Sequence, residues 1–417
     1  MKRLTIVGGG WAGLAAGVHA TNLGWQVRLF EAAPALGGRA RRIEHQGLRL
    51  DNGPHLLIGA YTATLGLMRQ LGLDTEQVFW RTPMDLRNAQ GWGLRLPNVP
   101  PPWNLLLGVL TATAFDARDK GSLLRVAARW HRSGFACASE LSVRDVCEGL
   151  RPQVMHALIE PLCVSALNTP VDQASAAVFL RVLRDALYSA PGGADFLLPR
   201  CDMSALLPDA AAKWLQAHGA QVMLGQHQRN CPQPEHAGDA VLLACPAWEA
   251  ARLTQSIQPA WSTQAAQLRH QGIATVYVRC QPPGQGIATL ARPMMALDNG
   301  PLAPAQFVFD RGALSQDSAQ RGILAAVVSA CQGERDTVTT MVLAQMERQL
   351  KLKGISPITT VMERRATFAC TPGLKRPSAF IAPGLWACGD HVQGPYPSTL
   401  EGAVRSGLEV VDQLSQR

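Results

Sequence analysis

Hydrophobic spacing divides this chain into segments of different period. Residues 4–7 form a short apolar run of buried-strand type, 11–23 carry a helical pattern, and 26–31 alternate as a second strand. Gly24 stands where a glycine closing a helix belongs. The chain therefore opens with a predicted strand, helix and strand. Between residues 142 and 187 the pattern turns helical, with Ala176, Phe179, Leu180 and Leu183 recurring at three- and four-residue intervals. Strand and helix then alternate again: a helix over 205–218, strands over 221–224 and 240–244, β-rich stretches over 272–280 and 323–330, and a helix over 338–350. A strand at 385–388 and a helix over 399–414 close the pattern. No repeat is visible, so one sheet is expected to draw on both chain ends, with inserts between them.

One segment departs from this alternation. Residues 96–115, LPNVPPPWNLLLGVLTATAF, carry no charge over twenty positions, yet three consecutive prolines are incompatible with a continuous spanning helix. Two readings stay open: a buried loop and helix, or a surface element that dips into a bilayer or lines an entrance for an apolar substrate. The expected architecture is α/β. A Rossmann-like domain, a mixed sheet with helices, comprises residues 1–85, 195–255 and 360–417. A mainly helical insert covers 86–194, and a β-rich substrate domain covers 256–359.

Composition narrows the classes. With 417 residues, 47% apolar and 17% charged, the chain can bury a large core in two or three domains. The net charge is +8, but like charges never cluster in blocks of five or six, so nucleic acid is not an expected partner. Ten cysteines lie at least ten residues apart, which removes any CxxC metal or redox pair and fits reduced thiols. The apolar run after the first lysine and arginine is too short for a secretory signal. A cytoplasmic protein is expected, held peripherally at the inner face of the membrane.

The first chemical motif is Gly8, Gly10 and Gly13, a G-x-G-x-x-G placed between predicted strand and helix. Glu31 closes the next strand eighteen residues past Gly13. Gly8 permits the tight turn, Gly10 lets the backbone approach a pyrophosphate, and Gly13 allows close helix packing. The helix N-terminus at Trp11 and Ala12 offers N–H groups to phosphate, and Glu31 with Ala32 can meet an adenosine ribose. The acid disfavours a 2′-phosphate.

After Glu31 the chain reads EAAPALGGRARR, and this resembles the flavoprotein superfamily of amine oxidases and phytoene desaturases. Its second fingerprint corresponds here to Gly37, Gly38 and Arg39. The resemblance implies FAD, with Arg39 along the pyrophosphate. A third matching stretch, GLWACGDHVQGPYPSTLEGAVRSG, implies Gly389 and Asp390 at the ribityl and pyrophosphate region. It also implies Ser398, Thr399 and Leu400 at a helix mouth facing the flavin. DNGPHLLIGAY, with Gly53, Pro54 and His55, resembles the segment beside the flavin ring. Ala244 and Gln228 correspond to the adenine side, where Gln228 replaces the usual valine. Together with LIEPLCVSALNTPVDQASAAVFLRVLRD and RATFACTPGL, these stretches resemble the squalene-associated branch, described as hydroxysqualene dehydroxylases of squalene and hopanoid synthesis.

The resemblance implies hydride delivery from reduced flavin to an allylic cation, formed as water leaves a long isoprenoid alcohol. That requires a dry apolar pocket and an acid. His55 is the expected acid and Tyr61 a weaker candidate, while Asp51 is expected to cap a loop and His391 to pack beside Asp390. No second G-x-G-x-x-G follows a strand, so electrons are expected from an external donor or reductase. Other squalene-forming enzymes are possible partners. A phytoene-type desaturase, an amine oxidase, and a non-catalytic flavin- and prenyl-lipid-binding partner remain the alternatives.

Overall fold

A computed structural model describes residues 2–188, 190–280 and 290–416. Its central six-stranded sheet runs in the order Phe380–Ala382, Leu385–Ala387, Ala240–Leu243, Arg3–Val7, Gln26–Phe30, Gln221–Met223. The strands are parallel except for Phe380–Ala382, which pairs antiparallel with Leu385–Ala387. Both chain ends and two middle segments thus build one sheet. Such a sheet, buried on both faces, needs continuous apolar strands, and Ala240–Leu243 and Leu385–Ala387 are buried at every position. The architecture is α/β.

The helices Trp11–Asn22 and Leu400–Ser415 cross in close contact on this sheet. The fit is set by a glycine. A Cβ built on Gly407 would stand 2.4 Å from the carbonyl oxygen of Ala12. No side chain larger than hydrogen fits there without moving the backbone.

A second, five-stranded antiparallel sheet runs Met294–Ala296, Phe307–Asp310, Ile323–Cys331, His270–Cys280, Ile355–Phe368. One face packs Ala274, Val276 and Val278 on the helix Arg335–Leu350 through Val338, Val342 and Met346. The other face joins the core of the helical segment, where Tyr277, Phe307 and Phe309 share a cluster with Phe179, Leu180 and Leu183. The expected boundary between residues 359 and 360 falls inside Ile355–Phe368. That strand pairs along its length with His270–Cys280, so it belongs whole to this sheet.

Between residues 142 and 188 the chain is mainly helical, ending in Ala176–Tyr188. A three-stranded sheet of Leu57–Ile58, Phe196–Pro199 and Phe79–Thr82 lies between the layers. The charge-free segment forms the helix Trp103–Thr111, which buries Asn104, Gly108 and Val109 and exposes Trp103, Leu107 and Leu110. The helix is thus part buried and part exposed. No helix among the described residues is long and apolar enough to cross a membrane.

The glycine contact yields a paired expectation. Gly407→Ala should lower stability by about 1–3 kcal/mol through overpacking. Gly66→Ala, in the helix Thr62–Gln70 with nothing within 4 Å of the added Cβ, should raise it by about 0.5–1 kcal/mol. Thermal or urea unfolding of the two variants checks the opposite signs.

Candidate cofactor and active site

The first glycine motif turns the chain directly out of the strand Arg3–Val7 and into the helix Trp11–Asn22. Gly8 has φ +115° and its absent Cβ would stand 2.6 Å from the Ala244 carbonyl oxygen, so neither the conformation nor the space admits a side chain. Gly10 is different. It has an ordinary extended backbone, and a Cβ built on it would meet nothing closer than 3.9 Å. Protein packing does not demand a glycine there, so its bareness leaves room for a ligand over the first helical turn. The first intrahelical bond runs from Leu14 N to Gly10 O (2.9 Å), which leaves Trp11, Ala12 and Gly13 ahead of the ladder as donors for an anion.

Glu31 ends its strand beside this turn. Its carboxylate accepts from Gly9 N and Ala33 N, both at 2.7 Å, and is held as an oriented acceptor at the rim. Ala32 is exposed next to it. The second glycine stretch is laced to the first, since Gly37 N donates to Gly9 O at 2.9 Å. Trp11 Nε1 donates to Ala40 O at 3.0 Å, which pins the loop from the helix side.

The C-terminal stretch arrives at the same place. Arg39 donates from Nη2 to Asp390 Oδ1 (2.6 Å) and from Nη1 to Ala366 O (2.7 Å), keeping further N–H groups for another anion. Ser398 donates to the other oxygen of Asp390 (2.5 Å) and accepts from Phe368 N (3.2 Å). Burial alone would raise the Asp390 pKa. Arg39 foremost, with His391 and the Ser398 hydroxyl, instead holds it at about 2. Asp390 is thus a fixed anion. Arg39, Trp248, His270, Phe368, Asp390 and His391 line a small cleft. His391 is buried, its Nε2 has no partner, and burial pushes its pKa down to about 4, so the ring is neutral.

Thr399 caps the terminal helix by accepting from Gly402 N (3.1 Å), with Leu400 as the first helical residue. The fully buried Glu401, in the first turn of this helix, has a role that no local sequence pattern marks. Its carboxylate accepts from Ala63 N, Thr64 N and the Thr64 hydroxyl at 2.8–3.0 Å, and from Arg405 Nε at 2.7 Å. It thereby supplies the cap that the helix Thr62–Gln70 lacks locally. Tyr61 is the residue preceding that helix. Burial, then the Glu401 carboxylate, pushes its phenol well above the usual range, so it is a poor acid.

His55 is half-buried, and its Nδ1 lies 2.8 Å from Gly53 O. A carbonyl only accepts, so Nδ1 carries the hydrogen and Nε2 is bare. Burial lowers its pKa, opposed by the Gly53 bond and reinforced by Arg39. The imidazole is neutral at rest. No hydrogen bond among the described residues joins His55 to Tyr61; the two belong to different networks.

Asp51 does more than cap a loop. Its carboxylate accepts from Met203 N (2.8 Å) and pairs with Arg311 (3.3 Å), and its carbonyl accepts from the Tyr277 hydroxyl (2.7 Å). Burial raises its pKa to about 6 against the pull of Arg311. It joins the hairpin strand Leu48–Asp51 to the five-stranded antiparallel sheet. Gln228 sits outside the strand Gln221–Met223, its amide donating to Gln226 O at 3.4 Å and its carbonyl accepting from Arg252 at 2.5 Å. It shares no described bond with Glu31 or Ala244, whereas Ala244 N is bonded to Val7 O directly beside the glycine turn (2.8 Å).

Comparison with known proteins agrees with this geometry. Residues 6–71 match a family described as an NAD(P)-binding Rossmann-like domain. A hydroxysqualene dehydroxylase of Zymomonas mobilis is 26% identical, covering 98% of this chain and 97% of that protein. Another protein of that name, from Rhodopseudomonas palustris, is 27% identical, covering 99% of this chain and 98% of its own. Among solved structures, an oxidoreductase from Methanosarcina mazei superposes with a TM-score of 0.74 at 12% identity, covering 98% of this chain and all of that one. Along its whole length the chain is similar to the hydroxysqualene dehydroxylases, and its N-terminal segment matches a Rossmann-like domain.

Proposed function

We propose that this protein is an FAD-dependent oxidoreductase that reductively removes the hydroxyl of hydroxysqualene to give squalene. The observation that carries the cofactor is the meeting of three glycine-bearing segments around one anion-binding helix mouth, with Gly10 leaving space that packing does not require. In this reading Trp11, Ala12, Gly13 and Arg39 hold the FAD pyrophosphate, and Glu31 holds the adenosine ribose. Asp390 and Ser398 hold the ribityl side, and Thr399 and Leu400 present N–H groups to the flavin. Bound reduced flavin supplies the hydride.

The chain's own contribution is apolar enclosure and a placed proton. Ionisation of an allylic alcohol is favoured when its hydroxyl leaves as water, so the reaction takes up one proton and one hydride and releases one water. His55 is the proposed acid. Its lowered pKa leaves it neutral at rest and makes its cation a strong donor once loaded. The half-buried Ile273, Val327 and Val361 lie on three adjacent strands and form an apolar floor that keeps water from trapping a cation. The donor of electrons is proposed to be a separate reductase. A peripheral membrane contact is proposed at the charge-free helix, where Trp103, Leu107 and Leu110 share a face at 41–60% exposure. Trp92 (59% exposed) stands beside them, its neighbour Gly93 being bonded to Thr113.

Three outcomes are expected. Photoreduced holoenzyme given hydroxysqualene anaerobically should form squalene with reoxidation of the flavin; an unchanged flavin and alcohol would refute the reaction, and reduction of the oxidised holoenzyme by an isoprenoid hydrocarbon would mark a desaturase. Asp390→Asn should weaken FAD binding about tenfold or more, through loss of charge-assisted bonds. Because the Asp390 pKa is depressed to about 2, this difference should be full above about pH 4, the ordinary carboxylate value, and close only as pH falls toward 2. Titration of the flavin-free protein with FAD across pH measures it. Leu107→Glu with Leu110→Glu should abolish sedimentation with phosphatidylglycerol vesicles; undiminished sedimentation would refute the membrane contact.

A further inference from the structure

The hydroxyl of Thr275 is buried with no hydrogen-bond partner, on a residue only 1% exposed. Buried hydroxyls without partners are uncommon because water is lost and nothing replaces it. Thr275 lies in the middle of the strand His270–Cys280, which is flanked by Ile323–Cys331 and the edge strand Ile355–Phe368. Its cross-strand neighbours on that face are Val327 and Val361, and its neighbours along the strand are Ile273 and Tyr277. None of these supplies a bond. The Tyr277 hydroxyl is already committed to Asp51.

This hydroxyl lies beside Gly53. A Cβ built on that glycine would stand 3.4 Å from Thr275 Oγ1, and the Gly53 carbonyl is the group that orients His55. Thr275 is therefore a single polar point on an otherwise apolar floor, beside the proposed acid. That arrangement suits a long apolar ligand carrying one hydroxyl.

We propose that Thr275 is a substrate-contacting residue that donates its hydroxyl hydrogen to the oxygen of the isoprenoid alcohol, holding that oxygen beside His55. It transfers no proton of its own; the bond polarises the departing C–O group and fixes which carbon faces the flavin. The inference rests on the dehydroxylase reading and adds to it the group that distinguishes the alcohol from the hydrocarbon product.

The test uses oxidised holoenzyme titrated with hydroxysqualene and with squalene, read by perturbation of the flavin absorbance. Wild type should prefer the alcohol by about tenfold, the size of one hydrogen bond. Thr275→Val, nearly isosteric, should abolish that preference while leaving squalene affinity, FAD affinity and the resting flavin spectrum unchanged, and Thr275→Ser should restore it. The valine variant should also melt no lower than wild type without FAD, since it removes an unsatisfied hydroxyl. A preference retained in the valine variant overturns the proposal, and so does a change in its resting flavin spectrum or FAD affinity, which would assign the hydroxyl to the cofactor. If wild type binds neither compound, the dehydroxylase reading itself fails, whatever the variants do.

Discussion

The crossing of the first and last helices is the contact on which the site depends. The Gly407 backbone lies against the Ala12 carbonyl, at a distance that no side chain allows, and this brings the C-terminal strand and helix onto the sheet begun at Arg3. Without that approach Asp390 and Ser398 would not stand beside Arg39, and the glycine turn at Gly8 would face no opposing wall. Some four hundred residues of separation are thus closed by backbone proximity. Loop-closure entropy grows only slowly with length, so a tight, apolar contact between helices can hold the chain ends together.

Electrostatics then divides the site into two halves. At the phosphate end, opposite charges in direct contact keep Asp390 ionised despite burial, and Arg39 retains donors for another anion. Toward His55 and Thr275 the surroundings are apolar, and burial lowers the histidine pKa. A charged cofactor tail and an uncharged substrate need opposite surroundings. The chain provides one at the C-terminal ends of the parallel strands and the other over the antiparallel sheet, and the buried Asp51, held by Met203, Arg311 and Tyr277, ties the hairpin strand Leu48–Asp51 to the antiparallel sheet.

Much of the first half was legible from short-range pattern. The strand, helix and strand at the N-terminus, the acid at Glu31 and the glycines at 37, 38 and 389 are local signals, because a turn with positive φ or a helix start leaves its mark within a few residues. The strand Ile355–Phe368 escaped notice because it is an edge strand. Pro357 and the charged run Glu363, Arg364 and Arg365 are tolerated where one side of the ladder is unpaired, and they blur the alternation. Gln228 shows a different limit. The resemblance places it on the adenine side, and in the structure it lies five residues past the strand Gln221–Met223, its backbone carbonyl accepting from Arg252.

Local sequence determined the phosphate-binding turn, the parallel unit around it and the charge-free helix with its exposed apolar face, since each depends on residues adjacent along the chain. Tertiary structure decided what meets there. Glu401 caps a helix that begins more than three hundred residues earlier, Asp51 pairs with the sequence-distant Arg311, and Thr275 is left without a partner on an apolar floor. A glutamate, an aspartate and a threonine read alike in any sequence. Their roles follow from which partners folding brings within 3 Å and from how much water it removes, and neither is a property of sequence spacing.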